Sequence, residues 1–287
     1  PFSRYLELAL YAPGLGYYTA GARKFGGDGD FVTAPEISPM FARCFALQAV
    51  QVFDEVGGDI LELGPGSGLF AADLYGELKS LGKAPDRYRL LEVSPDLRER
   101  QRALIAERFP ADLARFEWID ALPDKIRGLV VGNEVLDVVP FDIVHRSRSA
   151  VMERGVIVTE AGFAWDDALL PAGELKRRAE AVIPPGDYAY TTEISLAAEA
   201  LVRTISSSLE AGLAIFIDYG FNEREFYHPQ RSGGTLRCHY RHRFHGDPFF
   251  MPGLQDITAH VDFSALARAA EQGGSEVFGY TTQAYFL

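Results

Sequence analysis

A glycine-rich turn follows a strongly apolar run in the segment Asp59-Ile-Leu-Glu-Leu-Gly-Pro-Gly-Ser-Gly68. Its glycines Gly64, Gly66 and Gly68 would let the backbone approach a bound cofactor with no Cβ in the way. A dinucleotide fingerprint reads GxGxxG and cradles a pyrophosphate, whereas this turn reads GxGxG with a proline in the middle. Glu62 stands two residues before the first glycine, and its carboxylate suits ammonium and sulfonium charges better than a pyrophosphate. The turn therefore predicts a cofactor that carries positive charge.

Acidic residues also follow the next two apolar runs. Glu92 ends the run Leu90-Leu-Glu-Val-Ser94, where a carboxylate can accept hydrogen bonds from both hydroxyls of a ribose. A solvated strand end is the alternative for Glu92. Asp120 and Ala121 follow the third run, and we expect Asp120 to meet an adenine amino group while its apolar neighbours flank the ring. A helix-capping role explains Asp120 equally well.

Short apolar runs alternate with helical segments from Asp59 onward, which is typical of βαβ units on a parallel sheet. Helices are predicted from Ser67 to Leu81 and from Pro95 to Arg108, the second with Ser94 as its N-cap. The pattern predicts an α/β fold with a Rossmann-like, doubly wound sheet. Its predicted strands are Ile60-Leu63, Tyr88-Val93, Phe116-Ile119, Leu129-Val131 and Leu213-Ile217.

Two insertions and an N-terminal segment are expected to cap the site. Residues 141–212 contain a hairpin near Ile143 to Phe163 and a helix from Ser195 to Leu209, and residues 222–262 are rich in Pro, Gly, His and Arg. Both insertions should lie over the carboxyl ends of the strands, where ligands bind in open α/β sheets. Residues 1–58 form a helical and loop cap before a main domain at residues 59–287. The predicted helices of this cap run from Ser3 to Leu10 and from Pro39 to Phe53, and its Gly-rich stretch from Pro13 to Asp30 either bends around a ligand or serves as a surface connector.

Composition limits the possible partners. Apolar residues make up 47% of the 287, enough to bury an α/β core. The formal charge of -12 repels phosphate backbones, so no nucleic-acid partner is expected. No apolar run approaches the roughly 20 residues that span a bilayer. The chain starts at Pro1 without Met and ends on Ala284-Tyr-Phe-Leu287, so it looks trimmed at both ends.

The cysteines and histidines do not predict a metal site. Cys44 and Cys238 are far apart and lack CxxC spacing, which favours a reducing compartment over a disulfide or a zinc site. The run Arg237-Cys-His-Tyr-Arg-His-Arg-Phe-His245 has three histidines at a spacing of three, but it matches no zinc module. We expect an exposed basic loop there, suited to an acidic protein surface.

Five segments together resemble the MidA family over nearly the whole chain. The glycine turn is shared by many methyltransferases, but the other segments in this order are specific. The resemblance implies a class I methyltransferase fold and methyl transfer from S-adenosylmethionine to a protein. In mitochondrial members, which assist assembly of respiratory complex I, the acceptor is an arginine of a complex I subunit, and members continue past Leu287 into a closing strand. The segments are Leu10-Tyr-Ala-Pro-Gly-Leu-Gly-Tyr-Tyr18, Phe31-Val-Thr-Ala-Pro-Glu-Ile-Ser38, Glu62-Leu-Gly-Pro-Gly-Ser-Gly68, Gly132-Asn-Glu-Val-Leu-Asp137 and Asp256-Ile-Thr-Ala-His-Val-Asp-Phe263.

Asn133, Glu134 and Asp137 follow the fourth predicted strand, where class I methyltransferases present groups to the acceptor nitrogen. Carboxylates that grip a guanidinium in a bidentate fork would orient this poor nucleophile and stabilise the cation. Glu134 is the first choice for that contact and Asp137 the second, with capping or pairing inside the following insertion as the alternative. The resemblance places Glu36, in an extended Thr-Ala-Pro-Glu segment, near the site, although it could equally cap the helix near Ser38.

The segment Asp218-Tyr-Gly220 should wall the same cleft. Two functions follow: a protein arginine methyltransferase, or an assembly factor that binds a respiratory subunit and uses the cofactor mainly for stability. The acceptor carboxylates favour the enzyme. An NAD-dependent dehydrogenase is a third hypothesis, which the glycine turn weakens. Bacterial cytoplasm is the expected compartment, or the mitochondrial matrix in a eukaryote.

Overall fold

The computed structural model describes residues 1–21, 34–147 and 150–287. Its strands, in chain order, are β1 (Asp59–Leu63), β2 (Tyr88–Leu91), β3 (Phe116–Ile119), β4 (Ile126–Asn133), β5 (Asp142–Ser147), β6 (Ala150–Thr159), β7 (Gly162–Leu169), β8 (Tyr190–Ile194), β9 (Leu209–Ile217), β10 (Gly220–Phe221), β11 (Arg237–Tyr240), β12 (Arg243–His245), β13 (Asp256–Thr258) and β14 (Val261–Asp262).

The helices begin at side-chain caps where the sequence offers them. Ser94 Oγ accepts from the backbone N–H of Leu97, which confirms its predicted role as an N-cap, and Ser195 Oγ accepts from that of Ala198 at the start of α7. The α-helices are α1 (Phe2–Tyr11), α2 (Ala34–Ile37), α3 (Met40–Val56), α4 (Leu69–Ser80), α5 (Pro95–Arg108), α6 (Glu174–Val182), α7 (Leu196–Ser208), α8 (Glu223–Phe226), α9 (Phe263–Gln272) and α10 (Gln283–Phe286), and a 3-10 helix spans Pro110–Arg115.

A five-stranded parallel sheet in the order β3-β2-β1-β4-β9 forms the centre of the fold. All five predicted strands are present, which confirms the doubly wound parallel sheet. Strand β2 ends at Leu91, two residues before the predicted end, because Glu92 accepts from the N–H of Ser94 and the chain turns there into α5. Strands β4 and β9 begin earlier than predicted.

Apolar side chains cover both faces of this sheet. On one face, Ile60 and Leu129 pack with Phe45 of α3 and Leu74 of α4 in a buried cluster. On the other face, Leu61, Leu63 and Val130 pack with Ile205 of α7. Each such buried side chain stabilises the fold by roughly 1.5 to 3 kcal/mol. Helices on both faces hold the sheet edge where the functional side chains lie.

The first insertion builds an antiparallel sheet in the order β7-β6-β5-β8. The predicted hairpin is confirmed in β5 and β6, whose register pairs Ile143 with Arg154, but the sheet is larger than predicted. Ala179 of α6 packs with Val144 in one cluster, and Phe2 of α1 packs with Ile143 in another. Helix α1 therefore packs against this inserted sheet.

The second insertion contains a β-hairpin where a basic loop was predicted. Strands β11 and β12 pair antiparallel, and β13 extends them on the other side. The connecting residues Arg241 and His242 have φ of 49° and 59°, the left-handed pair that a two-residue hairpin turn requires. Cys238 is fully buried in the core with Ile257. The run forms a hairpin and not a loop because its two halves pair through their backbones, while Arg237, Arg241 and Arg243 are exposed as predicted.

The N-terminal residues differ from prediction in one place. Ala34–Ile37 is helical, not extended, since Pro35 is compatible with the first turn of a helix. Residues 22–33, which include half of the predicted glycine-rich stretch and Thr33, lie outside the described residues. Phe41 and Phe45 of α3 share the core of the parallel sheet, and a domain boundary at residue 58 stays a prediction.

Candidate active site

The glycine turn connects β1 to α4 at the carboxyl edge of the parallel sheet. Gly64, Gly66 and Gly68 have φ of 56°, 55° and 81°, a region that residues with a Cβ rarely adopt. A Cβ on Gly64 would lie 2.6 Å from Val135 Cγ1, and one on Gly68 would lie 3.0 Å from Gln101 Cγ. The turn thus requires glycine and keeps its backbone open to a ligand.

Glu92 lies directly after β2, beside this turn. It is 4% exposed, its Oε1 accepts from Ser94 N at 2.8 Å, and its Oε2 accepts from Gln101 Nε2 at 3.0 Å. Burial raises the pKa of the Glu92 carboxyl, while these hydrogen bonds oppose the rise. A carboxylate has about four lone-pair positions, so Glu92 keeps room to accept from a ribose hydroxyl beside its bonds within the protein.

Glu62 lies inside the sheet beneath the turn. Tyr88 Oη donates to its Oε2 at 2.6 Å. Burial raises the pKa of Glu62 to about 8, with the Tyr88 hydrogen bond opposing and the charge of Glu92 adding to the rise. Its role in meeting cofactor charge stays a prediction.

Asp120 and Ala121 follow β3 and are both exposed. Arg98 Nη2 donates to Asp120 Oδ1 at 2.6 Å and to the Ile119 carbonyl at 3.0 Å, while Arg98 Nε donates to the Glu92 carbonyl at 2.6 Å. Arg98 thus ties the ends of β2 and β3 together. The adenine contacts of Asp120 and Ala121 stay predictions.

These residues fit S-adenosylmethionine. The turn offers a backbone surface without Cβ atoms, and Glu92 offers an anchored carboxylate for a ribose. Sequence reasoning missed Gln101, whose side chain contacts both the glycine turn and Glu92. It lies on α5 between charged residues, and only the folded structure places its amide at the turn.

Glu134 follows β4 in a strained backbone conformation. Its φ is 52°, unusual for a residue with a side chain, and its N–H donates to the Ile217 carbonyl at 2.8 Å. Burial, followed by the charge of Asp218, raises the pKa of Glu134 to about 7, while a hydrogen bond from the Asn133 side chain opposes the rise. Within the described chain, Asn133 Oδ1 is buried without a hydrogen-bond partner.

Asp137 and Asp218 lie beside Glu134. Asp218 Oδ2 accepts from the N–H groups of Leu136 (2.8 Å) and Asp137 (3.2 Å). Asp218 therefore caps the turn after β4. The sequence had left this capping role open for Glu134 and Asp137. Among the described residues Asp137 Oδ1 is buried with no partner, and burial with the charges of Asp218, Asp256 and Glu134 raises the pKa of Asp137 well above its usual range.

Asp256 brings the second insertion into the same cluster. It is 3% exposed, and its Oδ1 accepts from Tyr18 Oη at 2.9 Å. The rings of Tyr18 and Tyr11 stack at 5.6 Å, and Tyr11 Oη donates to the Val138 carbonyl at 2.9 Å. Asp256 was not chosen as a site residue, although the resemblance contained it; its long-range contact with Tyr18 was not readable from the sequence.

Tyr219 lies near Glu134, Asp137 and Asp218, and its place in the wall of the cleft stays a prediction. It is 60% exposed, and the nearby charge of Glu134 raises its pKa. Glu36 is half-buried on α2, which lies against α3 and α4. An acceptor role for Glu36 stays a prediction.

Known proteins are similar to this chain over nearly its whole length. A family model described as "Putative S-adenosyl-L-methionine-dependent methyltransferase" matches residues 44–281. The chain belongs to this methyltransferase family. A COG1565 superfamily protein from Burkholderia thailandensis, crystallised with S-adenosyl-homocysteine, is 48% identical with a TM-score of 0.93, over 99% of this chain and 74% of that one. A native structure of a COG1565 protein from the same organism is 47% identical with a TM-score of 0.90 and the same coverage.

Curated relatives of the methyltransferase are mitochondrial proteins. The protein arginine methyltransferase NDUFAF7 of Mus musculus is 30% identical over 314 residues, which cover 99% of this chain and 69% of that protein. Its Drosophila melanogaster homologue is 29% identical over 326 residues, covering 100% and 70%. The methyltransferase uses S-adenosylmethionine. Within its described residues, no helix combines the length and apolar character needed to cross a membrane.

Proposed function

We propose that the methyltransferase transfers a methyl group to the guanidinium of an arginine in a protein. The observation that carries the proposal is the convergence of Glu134, Asp137, Asp218 and Asp256 at the carboxyl ends of β4 and β9. Without a cation these neighbouring carboxyls cannot all be ionised, and burial together with their mutual repulsion raises the pKa of Glu134 and of Asp137. A guanidinium supplies that cation and matches carboxylates with paired N–H donors.

Each side chain has a distinct part in holding the acceptor. Glu134 is the first contact, and its orientation is supported by the Asn133 side chain. The unpartnered Oδ1 of Asp137 provides a second acceptor for guanidinium N–H groups. Asp218 is committed to backbone N–H groups and positions the turn. The exposed ring of Tyr219 can pack against the flat guanidinium face.

S-adenosylmethionine, when bound, supplies a methyl group on an electrophilic sulfonium. Glu134 and Asp137 would hold the acceptor nitrogen toward that methyl carbon, and the sulfur would keep the electron pair of the carbon–sulfur bond that breaks. The nitrogen must then lose a proton. Burial and the charge of Asp218 raise the pKa of Glu134 to about 7 before a cation binds, and Glu134 would be the group that takes up this proton. The cluster therefore both holds the cation and takes up the proton.

The names of the relatives support a protein arginine as acceptor, since both are protein arginine methyltransferases. We extend the proposal to a protein substrate of the respiratory complex I type, as the family resemblance implies. The corresponding compartment is bacterial cytoplasm, or the mitochondrial matrix in a eukaryotic host.

Mass spectrometry of cells with and without this protein tests the proposal. We expect at least one peptide whose methylated arginine disappears when the gene is deleted and returns with the wild-type gene. A Glu134→Gln gene should not restore it, whereas a Glu7→Gln gene should, because Glu7 pairs on the surface with Arg4.

Loss of methylation from another residue type would overturn the arginine assignment. Unchanged methylation together with a lost protein–protein complex would favour the assembly-factor function instead.

A further inference from the structure

The amide of Gln101 joins three cofactor-site segments. Its Nε2 donates to the Gly66 carbonyl at 2.8 Å and to Glu92 Oε2 at 3.0 Å. Its Oε1 accepts from Trp118 Nε1 at 2.9 Å. One side chain on α5 therefore contacts the glycine turn, the carboxylate after β2 and an indole on β3.

These contacts determine a single orientation of the amide. The two N–H groups face two acceptors and the oxygen faces a donor, so every contact pairs opposite partial charges. A flipped amide would set its oxygen against the Gly66 carbonyl and the Glu92 carboxylate. Because Gln101 is fully buried, no water can compensate for such a reversal.

The surroundings hold Gln101 in place. A Cβ on Gly68 would lie 3.0 Å from Gln101 Cγ and 3.3 Å from its Cβ, so this glycine makes room for the aliphatic part of the side chain. Arg102 is on the same helix as Gln101, and its guanidinium lies 4.5 Å from the centroid of the Trp118 ring. Trp118 thus has a second contact with α5, which helps to hold its N–H at the Gln101 oxygen.

We propose that Gln101 is a positioning residue that sets the separation between the glycine turn and Glu92, and thereby the affinity for the cofactor. The glycine turn and Glu92 lie in different parts of the chain, and the two hydrogen bonds donated by the Gln101 amide connect them. Without the amide, the turn can move relative to the carboxylate that receives the ribose. This inference concerns the cofactor site and does not depend on arginine being the acceptor.

Calorimetric titration of the full chain with S-adenosyl-homocysteine tests the proposal. Gln101→Leu keeps the approximate size but removes all three hydrogen bonds, and we expect roughly 10-fold weaker binding. Gln51→Leu is the matched control, because it makes the same substitution at an exposed position of α3 outside the cofactor site. We expect a change of about 3-fold or less in that control.

Gln101→Glu separates positioning from packing. An ionised glutamate of the same shape would repel both Glu92 and the Gly66 carbonyl, whereas its protonated form has one O–H, which keeps the bond to Glu92 and loses the bond to Gly66. We expect binding roughly 100-fold weaker than wild type at pH 9 and within about 5-fold of it at pH 6. A merely structural defect would give the same ratio to wild type at both pH values.

The proposal is overturned if Gln101→Leu binds within about twofold of wild type, or if the ratio for Gln101→Glu does not change with pH. If Gln101→Leu fails to fold, the pH response of Gln101→Glu decides alone.

Discussion

At the residue scale, the backbone of Glu134 distinguishes it from an ordinary surface carboxylate. A side-chain residue with φ of 52° is costly, and such strain often occurs where a side chain must be aimed at a ligand. Asp218 already caps the turn after β4, so Glu134 is not required there. Both observations favour a role in binding the acceptor.

Replacing Glu134 with Gln should therefore reduce turnover without removing the cofactor. The substitution keeps the shape and one acceptor oxygen but removes the charge that stabilises a cationic acceptor and takes up its proton. Turnover on an arginine acceptor should fall roughly 100-fold or more, with S-adenosyl-homocysteine affinity within about twofold. The methylation rate, calorimetric titration and thermal melting of one preparation measure turnover, cofactor affinity and stability. Normal turnover with a lower melting temperature would show a structural role instead.

At the scale of elements, Glu193 joins the two insertions. This buried residue of β8 accepts from the backbone N–H of Thr235 at 2.9 Å, from that of Leu236 at 3.0 Å and from Thr235 Oγ1 at 3.0 Å. A Cβ on Gly234 would lie 2.3 Å from Glu193 Oε1. The second insertion, which carries Asp256, is thus held against the antiparallel sheet of the first.

We expect Glu193→Gln to lower the free energy of unfolding by roughly 2 to 4 kcal/mol, because its amide N–H groups would face backbone N–H groups inside the protein. The KM for the acceptor should rise, since Asp256 loses its support, while cofactor affinity stays close to wild type. Urea unfolding and steady-state kinetics check the two effects. Glu174→Gln is the control, because its ion pair with Arg177 is exposed and contributes little. Equal stability of the two variants would contradict this account of the insertions.

At the scale of the whole molecule, the buried carboxyl Glu62 links stability to pH. Its pKa is raised to about 8 in the folded state, above the ordinary value of 4.5. The folded state therefore binds more protons than the unfolded state between these values, and its stability falls as pH rises through that window.

Glu62→Gln should remove this contribution, because Gln stays neutral and can still accept from Tyr88 Oη. Without cofactor, we expect the free energy of unfolding of the variant, relative to that of wild type, to rise by roughly 2 to 4 kcal/mol from pH 5 to pH 9. Denaturant unfolding at the two pH values measures it, with Glu117→Gln as the control, since Glu117 is exposed beside Arg89. An unchanged pH dependence in Glu62→Gln would show that Glu62 is ionised in the folded protein.

Local patterns in the sequence determined the parallel sheet, the glycine turn and the candidates Glu92, Glu134 and Asp137. This is possible because strand periodicity, glycine conformation and helix caps depend on residues close together in the chain. The tertiary structure alone decided which distant groups meet. It brought Tyr18 to Asp256, Asp218 to the turn after β4 and Gln101 to both Gly66 and Glu92. It also turned the run from Arg237 to His245 into a hairpin with Cys238 in the core, because burial depends on packing across elements that no local window contains.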